Sequence, residues 1–166
     1  MNNQELRFEY GLQPGDDRVI RRITSDTGAF YDHEVQIAEE LAQEHLLNGA
    51  STSGYHFVAC YMQNQIVGYT CYGEIPCTRN RYDLYWIVVD PKYSRREIGS
   101  QLIHLTENQI LRQKGEKIYI ETSSREPYIA ARRFYAKHGY REVAIFKDYY
   151  DTGDHKIVYE KHLTTK

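Results

Sequence analysis

The stretch Leu84–Leu105, LYWIVVDPKYSRREIGSQLIHL, constrains this chain more than any other. Leu84–Val89 reads as a buried strand, Asp90-Pro91 closes it, and beyond a short basic loop Ile98, Leu102 and Leu105 recur on one face of a helix. A strand that turns through basic residues into a helix start makes an anion site. The first helical N–H groups have no intrahelical partner and sit at the positive end of the macrodipole. Arg95 and Arg96 add positive charge at the same point. The alternative is a helix that merely begins with arginines, and this stretch alone leaves both readings open.

At 166 residues the chain is expected to form a single domain spanning 1–166 with a real core. Hydrophobic residues at 41% and charged residues at 27% exclude disorder and fibrous repeats. A net charge of −2 provides no global field toward nucleic acid or an anionic membrane, so neither is an expected partner. The polar start MNNQELRFEY lacks a signal-peptide pattern and no window approaches a membrane span, which points to a soluble, cytoplasmic protein. Cys60, Cys71 and Cys77 are odd in number and lack metal-ligand spacing, as expected of reduced thiols. His33 and His45 do not form an HExxH pair, and no metal is expected.

Periodicity gives the element order. Leu6 to Tyr10 reads as a strand closed by Gln13-Pro14-Gly15; Asp16 or Asp17 caps a short helix; Asp32 caps a second helix ending near Asn48-Gly49. Phe57–Cys60 and Ile66–Cys71 form a hairpin around Gln63-Asn64-Gln65, and the Leu84 strand follows. The next helix runs from about Arg95 to Lys114 and stops at Gly115, a glycine of the kind that follows a helix end. KIYIET, Lys117–Thr122, is a strand parallel to the Leu84 strand; a helix follows over Tyr128–His138. Two last strands, around Val143–Phe146 and Ile157–Tyr159, flank an Asp151–Asp154 turn, giving βααβββαβαββ.

This order, together with IVVDPKYSRREIGSQLI and ARRFYAKHGY about forty residues further on, resembles the GNAT superfamily of acyl-CoA-dependent N-acyltransferases over essentially the whole chain. The first motif is similar to the acetyl-CoA segment, (Q/R)-x-x-G-x-(G/A), with Ser94 at the Gln/Arg position, Glu97 at the first Gly and Gly99 retained. The second is similar to A-x-x-(F/L)-Y-x-K-x-G-(F/Y). Ser94-Arg95-Arg96-Glu97 also matches an S-x-x-E capping box, in which the Ser94 side chain accepts from the Glu97 N–H. The resemblance implies an α+β GNAT fold, a mixed central sheet of about seven strands flanked by about four helices.

It also implies an acetyl-CoA-dependent N-acetyltransferase, with direct attack of a primary amine on the thioester in a ternary complex. Ile87, Val88 and Val89 would meet the pantetheine through their backbone, with a backbone N–H near Val89 for the oxyanion. Ser94, Arg95, Arg96, Glu97, Ile98, Gly99 and Ser100 would face the pyrophosphate. Tyr128 stands where many relatives have an Asn that contacts the pantetheine, and Ser124 is the substitute. Tyr135 matches the acid that protonates the departing thiolate.

Glu121 resembles the base of ribosomal-protein N-terminal acetyltransferases, the bacterial members this chain is most like; its alternative is a strand-end residue paired with Arg125 or Lys117. Asp83 is the second candidate base. Tyr149 and Tyr150, placed in the turn between the last strands, resemble a pair that grips a peptide backbone. The acceptor is therefore a peptide or protein amino group, or a small amine; Asp148, Asp151 and Asp154 favour a cationic one. The competing class is a non-catalytic acyl-CoA-binding or interaction module. The protein is expected as a monomer or a homodimer.

Overall fold

The computed structural model describes residues 5–94 and 96–164, so Arg95 lies outside the described residues. The elements are β1 (Arg7–Tyr10), α1 (Asp16–Asp26), α2 (Asp32–Ser53), β2 (His56–Met62), β3 (Gln65–Glu74), β4 (Arg81–Val89), α3 (Ile98–Arg112), β5 (Lys117–Ser123), α4 (Ile129–Lys137), β6 (Arg141–Asp151) and β7 (Asp154–His162). Short 3₁₀ turns at Pro91–Tyr93 and Glu126–Tyr128 precede α3 and α4. The element order is the one periodicity gives. Seven strands form one sheet in the order β1-β2-β3-β4-β5-β7-β6. It is mixed: β4 and β5 run parallel, while β1–β2, β2–β3, β5–β7 and β6–β7 are antiparallel.

The chain divides into two compact units, the first running to Gly73 and resuming over Trp86–Asn108, the second taking Glu74–Tyr85 and the chain from Gln109 on. In the first unit β2 and β3 are buried on both faces, which explains their nearly unbroken apolar runs. Phe57, Ala59, Tyr61, Tyr69 and Cys71 pack with Ile20 and Ile23 of α1 and Ala38 and Ala42 of α2. The opposite face takes α3, where the Thr70 and Thr106 hydroxyls are 2.7 Å apart. The seating of α3 is tight at Gly68. A Cβ there would stand 3.0 Å from Ile98 Cγ2 and 3.1 Å from Leu102 Cδ1. Burial of Cys60 and Cys71 raises both thiols, Cys60 to about 11, whereas Cys77 is exposed.

In the second unit β5 lies between β4 and β7. Its register with β7 pairs Ile120 with Tyr159, Glu121 with Val158 and Ser123 with Lys156. Alternation then puts Ile118, Ile120 and Tyr159 on one face, and Tyr119, Glu121, Ser123 and Lys156 on the other. Parallel pairing of Asp83 with Tyr119 adds Asp83 to the second face. Among the described residues the β4–β5 ladder covers only Arg81–Asp83 against Lys117–Tyr119.

Three local expectations are corrected. Asp32 is the first residue of α2, not its cap; the Tyr31 N–H donates to the Glu34 carboxylate at 2.7 Å, and the helix passes Gly49 through a kink. The Ser94–Glu97 capping box does not form. Asp90 caps the 3₁₀ turn instead, its carboxylate accepting the Lys92 N–H at 3.0 Å, so α3 begins only at Ile98. Gly115 is not the left-handed residue after α3: Lys114 is, at φ 64°. The Gly115 N–H bonds the Ile110 carbonyl at 2.8 Å and the Lys114 N–H that of Leu111 at 2.9 Å, a Schellman closure. Glycine is required at 115 for space, since a Cβ would stand 2.2 Å from Ile110 Cγ2 and 2.8 Å from Tyr82 Cε2.

Candidate active site

The loop between β4 and α3 belongs wholly to the first unit. Ile87 and Val89 are half-buried and Val88 is buried along β4. Past Val89 the chain is anchored at Asp90, which is 2% exposed, donates its N–H to the Val67 carbonyl at 2.8 Å and lies 3.6 Å from the Arg22 guanidinium. Arg96 stands 5.7 Å from the centre of the Tyr93 ring, with its Nη1 3.5 Å from Met62 Sδ. Glu97 is exposed, and its carbonyl accepts the Gln101 N–H at 3.1 Å, which closes the first turn of α3. Its φ is +57°, a left-handed conformation. This explains a glycine at that position in the pattern, because a Cβ destabilises that region. Ile98 is buried while Ser94 is exposed and Gly99 and Ser100 are half-buried, so the apolar side of α3 faces the core from its first residue.

The carboxylates and tyrosines lie in the second unit. Glu121 does not close its strand, which continues to Ser123, and it pairs with neither Arg125 nor Lys117. Its Oε1 is 3.2 Å from Lys156 Nζ, while Lys117 pairs with Glu160 and Arg125 with Asp154. Lys156 is buried, with its ammonium 3.9 Å from the centre of the Tyr149 ring and 5.1 Å from that of Phe146. Burial opposes its charge, but hydrogen bonding and attraction to Glu121 and Tyr149 leave its pKa raised. Asp83 is pushed up to about 6, first by burial and then by the Glu121 charge, against the pull of Lys156. A carboxylate held there is ionised at neutral pH and still basic enough to take a proton.

Tyr135 is buried on α4, its ring 5.8 Å from Tyr159, 6.3 Å from Tyr140 and 6.0 Å from Phe134. Burial raises the phenol, which keeps it protonated. Through Tyr159 it belongs to the Ile120 face of β5, so it and Glu121 lie on opposite faces of the β5–β7 ladder. Tyr128 is buried with the Arg125 guanidinium 5.3 Å from its ring centre. Ser124 ties strand ends: its N–H donates to the His155 carbonyl at 2.9 Å, and its Oγ accepts the His155 N–H at 2.8 Å.

Tyr149 and Tyr150 are not in the turn but at the end of β6, where Asp148 adopts φ 52° and the register slips between Phe146 and Asp151. Asp154, taken in sequence for a turn carboxylate, is buried; it accepts from Ser123 Oγ and lies 3.2 Å from Arg125 Nε. Arg132 donates to the Ser123 carbonyl at 2.7 Å and to the Arg125 carbonyl at 3.1 Å, fixing the connection from β5 to α4. Sequence reasoning missed Lys156, Arg132 and the burial of Asp154. The alternation in KIVYEK signals the strand, but only its register against β5 discloses the partners.

The profile of the acetyltransferase (GNAT) domain matches residues 53–142. A crystal structure from Desulfovibrio desulfuricans, of a protein assigned to the GNAT family as an acetyltransferase, superposes with a TM-score of 0.93 at 36% identity, over 96% of this chain and 100% of that one. This chain belongs to the GNAT acetyltransferase family. The GNAT fold recurs in the ribosomal-protein-S18-alanine N-acetyltransferase of Escherichia coli (TM-score 0.75, 16% identity, 98% and 96% of the two chains). It recurs again in the PaiA N-acetyltransferase of Thermoplasma acidophilum, solved with coenzyme A (TM-score 0.73, 14% identity, 95% and 99%). At those identities the likeness is one of fold. No curated protein sequence matches. The GNAT profile covers Asp83, the β4–α3 loop, Glu121 and Tyr135, and stops before Tyr149 and Lys156.

Proposed function

We propose that this GNAT acetyltransferase moves the acetyl group of acetyl-CoA to a primary amine by direct attack in a ternary complex, with no metal and as a single domain. The observation that carries the reading is the pair of carboxylates on one face of β4 and β5, with Asp83 at about 6 beside Glu121. An ammonium must lose a proton before it attacks, and such a pair supplies the base. Tyr135 is the acid, a phenol kept protonated by burial. For an acid on one face of β5 and a base on the other to serve one thioester, the thioester has to lie at the β5 edge past Tyr119, where the described ladder with β4 has ended.

For the coenzyme, the reading uses the backbone of Ile87, Val88 and Val89, the oxyanion donor near Val89, and the entrance of α3 from Ser94 through Ser100. Any residue but proline supplies these backbone donors, so Glu97 does not preclude binding. Ser124 and Tyr128 join the coenzyme contacts at the end of β5. Tyr149, with Tyr150 beside it, gives the acceptor an aromatic wall, and the carboxylates favour a cationic amine. A peptide N-terminus and a small amine both fit this chemistry.

The test is calorimetric titration with acetyl-CoA, followed by thiol release with a panel: a peptide with a free N-terminal alanine, 1,4-diaminobutane and the aminoglycoside kanamycin. Micromolar binding and amine-dependent release support the reading. Binding without release from any amine supports the non-catalytic acyl-CoA module, which the left-handed Glu97 at the loop favours; absence of binding refutes both.

A further inference from the structure

The structure treats the two carboxylates of the pair differently. Glu121 is 52% exposed at its side chain, yet it is held by the ammonium of a lysine whose side chain is only 11% exposed. That ammonium belongs to Lys156, clamped against Tyr149 at 3.9 Å and Phe146 at 5.1 Å. The Asp83 carboxylate, by contrast, makes no hydrogen bond or ion pair among the described residues, and Asp83 stands on the same face beside Tyr119. The Glu121 carboxylate is thus already engaged by a fixed cation, whereas that of Asp83 is open to an incoming ammonium.

We infer that Lys156 is a positioning residue: by pinning Glu121 and packing on Tyr149 it withdraws Glu121 from proton transfer and leaves Asp83 to receive the proton of the acceptor. This rests on the acetyl-transfer reading. The acceptor R–NH₃⁺ gives one proton to the Asp83 carboxylate, and the freed lone pair forms the N–C bond at the thioester carbonyl. The C–S bond breaks, and the thiolate takes its proton from the Tyr135 phenol. Solvent then takes the remaining surplus proton of the amide nitrogen and the one on Asp83 and returns one to Tyr135, so the sum is amide, free coenzyme A thiol and one proton.

Asp83 is paired with Tyr119 of β5, Glu121 follows on the same face, and the Lys156 ammonium of β7 is close enough to lower it, while Lys117 and Glu160 of that face neutralise each other at 2.8 Å. Of these, the Glu121 charge raises Asp83 and the Lys156 charge lowers it, with burial the larger cause. Removing the ammonium therefore raises Asp83, and removing the Glu121 charge lowers it.

The experiment is the pH profile of kcat/KM for the best acceptor of the panel, run beside a ¹³C carboxyl NMR titration of the same full-length proteins. The unaltered protein should lose activity below about pH 6. Lys156→Met and Lys156→Gln should move that limb upward by ~0.5–1 unit, about a twofold to fivefold loss at pH 6, and Lys156→Arg should restore it. Glu121→Gln should move it downward and cost less than Asp83→Asn, which should abolish the limb. Activity lost evenly at all pH in both Lys156 variants, or a limb erased by Glu121→Gln and kept by Asp83→Asn, overturns the inference. Failure of every acceptor of the panel to give thiol release refutes acetyl transfer itself, and with it the role of Asp83. An Asp83 NMR titration that does not respond to Lys156→Gln refutes the positioning even then.

Discussion

Replacing Glu97 by glycine relieves two separate penalties at the entrance of α3. The first is conformational. At φ +57° a residue with a Cβ occupies the left-handed region, at a cost of about 1 kcal/mol or slightly more. Glycine removes that cost but loses about 0.5 kcal/mol or more of backbone freedom on folding. The net gain is ~0.5 kcal/mol, a rise of about 1–2 °C in Tm for a chain of this length. The second penalty is electrostatic: an exposed carboxylate ~7 Å from a phosphate charge opposes it by about 0.6 kcal/mol in water, close to threefold in Kd.

Glu97→Gln removes only the charge, so it should tighten coenzyme A binding and leave Tm in place. Glu97→Gly should do both. Thermal melting and calorimetry with acetyl-CoA read the two effects, and repetition at ~1 M salt, where the Debye length is about 3 Å, should erase the charge component alone. A lower Tm or weaker binding in Glu97→Gly refutes the reasoning, because it would mean that the carboxylate organises the loop.

Tyr135→Phe should lower kcat by tenfold or more while the acetyl-CoA Kd stays within about twofold, since the phenol donates mainly in the transition state; equal losses in steady-state rate and calorimetric affinity would reject it as the acid. Gly115→Ala should lower stability by ~1–3 kcal/mol in urea melts, because its Cβ has Ile110 and Tyr82 in its way, whereas Lys114→Gly should raise it. Asp83, pushed up to about 6 in the fold, binds a proton that the unfolded chain has already released, so stability should fall as pH rises from about 4 to 6. Asp83→Asn should therefore match the unaltered protein near pH 4 and exceed it at pH 7, by ~1–2 kcal/mol after screening; a constant difference across that range would discount the raised pKa.

The fold was legible because its signals are periodic. Strands of the first unit are long apolar runs, α1 and α2 carry narrow stripes, and Gln63-Asn64 turns the hairpin with φ values of 50° and 63°. Local rules failed where two of them fitted the same letters. Ser94-x-x-Glu97 satisfies the capping-box pattern, but Asp90 upstream captures the backbone first and the chain enters α3 by another route. A glycine after a helix suggests a left-handed residue, and here the one before it takes that conformation while the glycine makes room for Ile110. Glu121 and Asp83 were visible as strand carboxylates, but their partners were not. Charge pairing across strands depends on register, and the slip in β6 that sets Tyr149 beside Lys156 has no marker in the sequence.

The distribution of thiols turns the protein into its own folding gauge. With three cysteines in the chain, Cys60 and Cys71 are shielded and hard to ionise, and Cys77 alone is exposed. A chromogenic disulfide reagent added to the native protein should count one equivalent per chain at once, a constant offset beneath any coenzyme A released in the same cuvette. The other two should appear only as molecules open. Every variant above thus carries an unlabelled check that a lost rate is a chemical loss and not a collapsed fold.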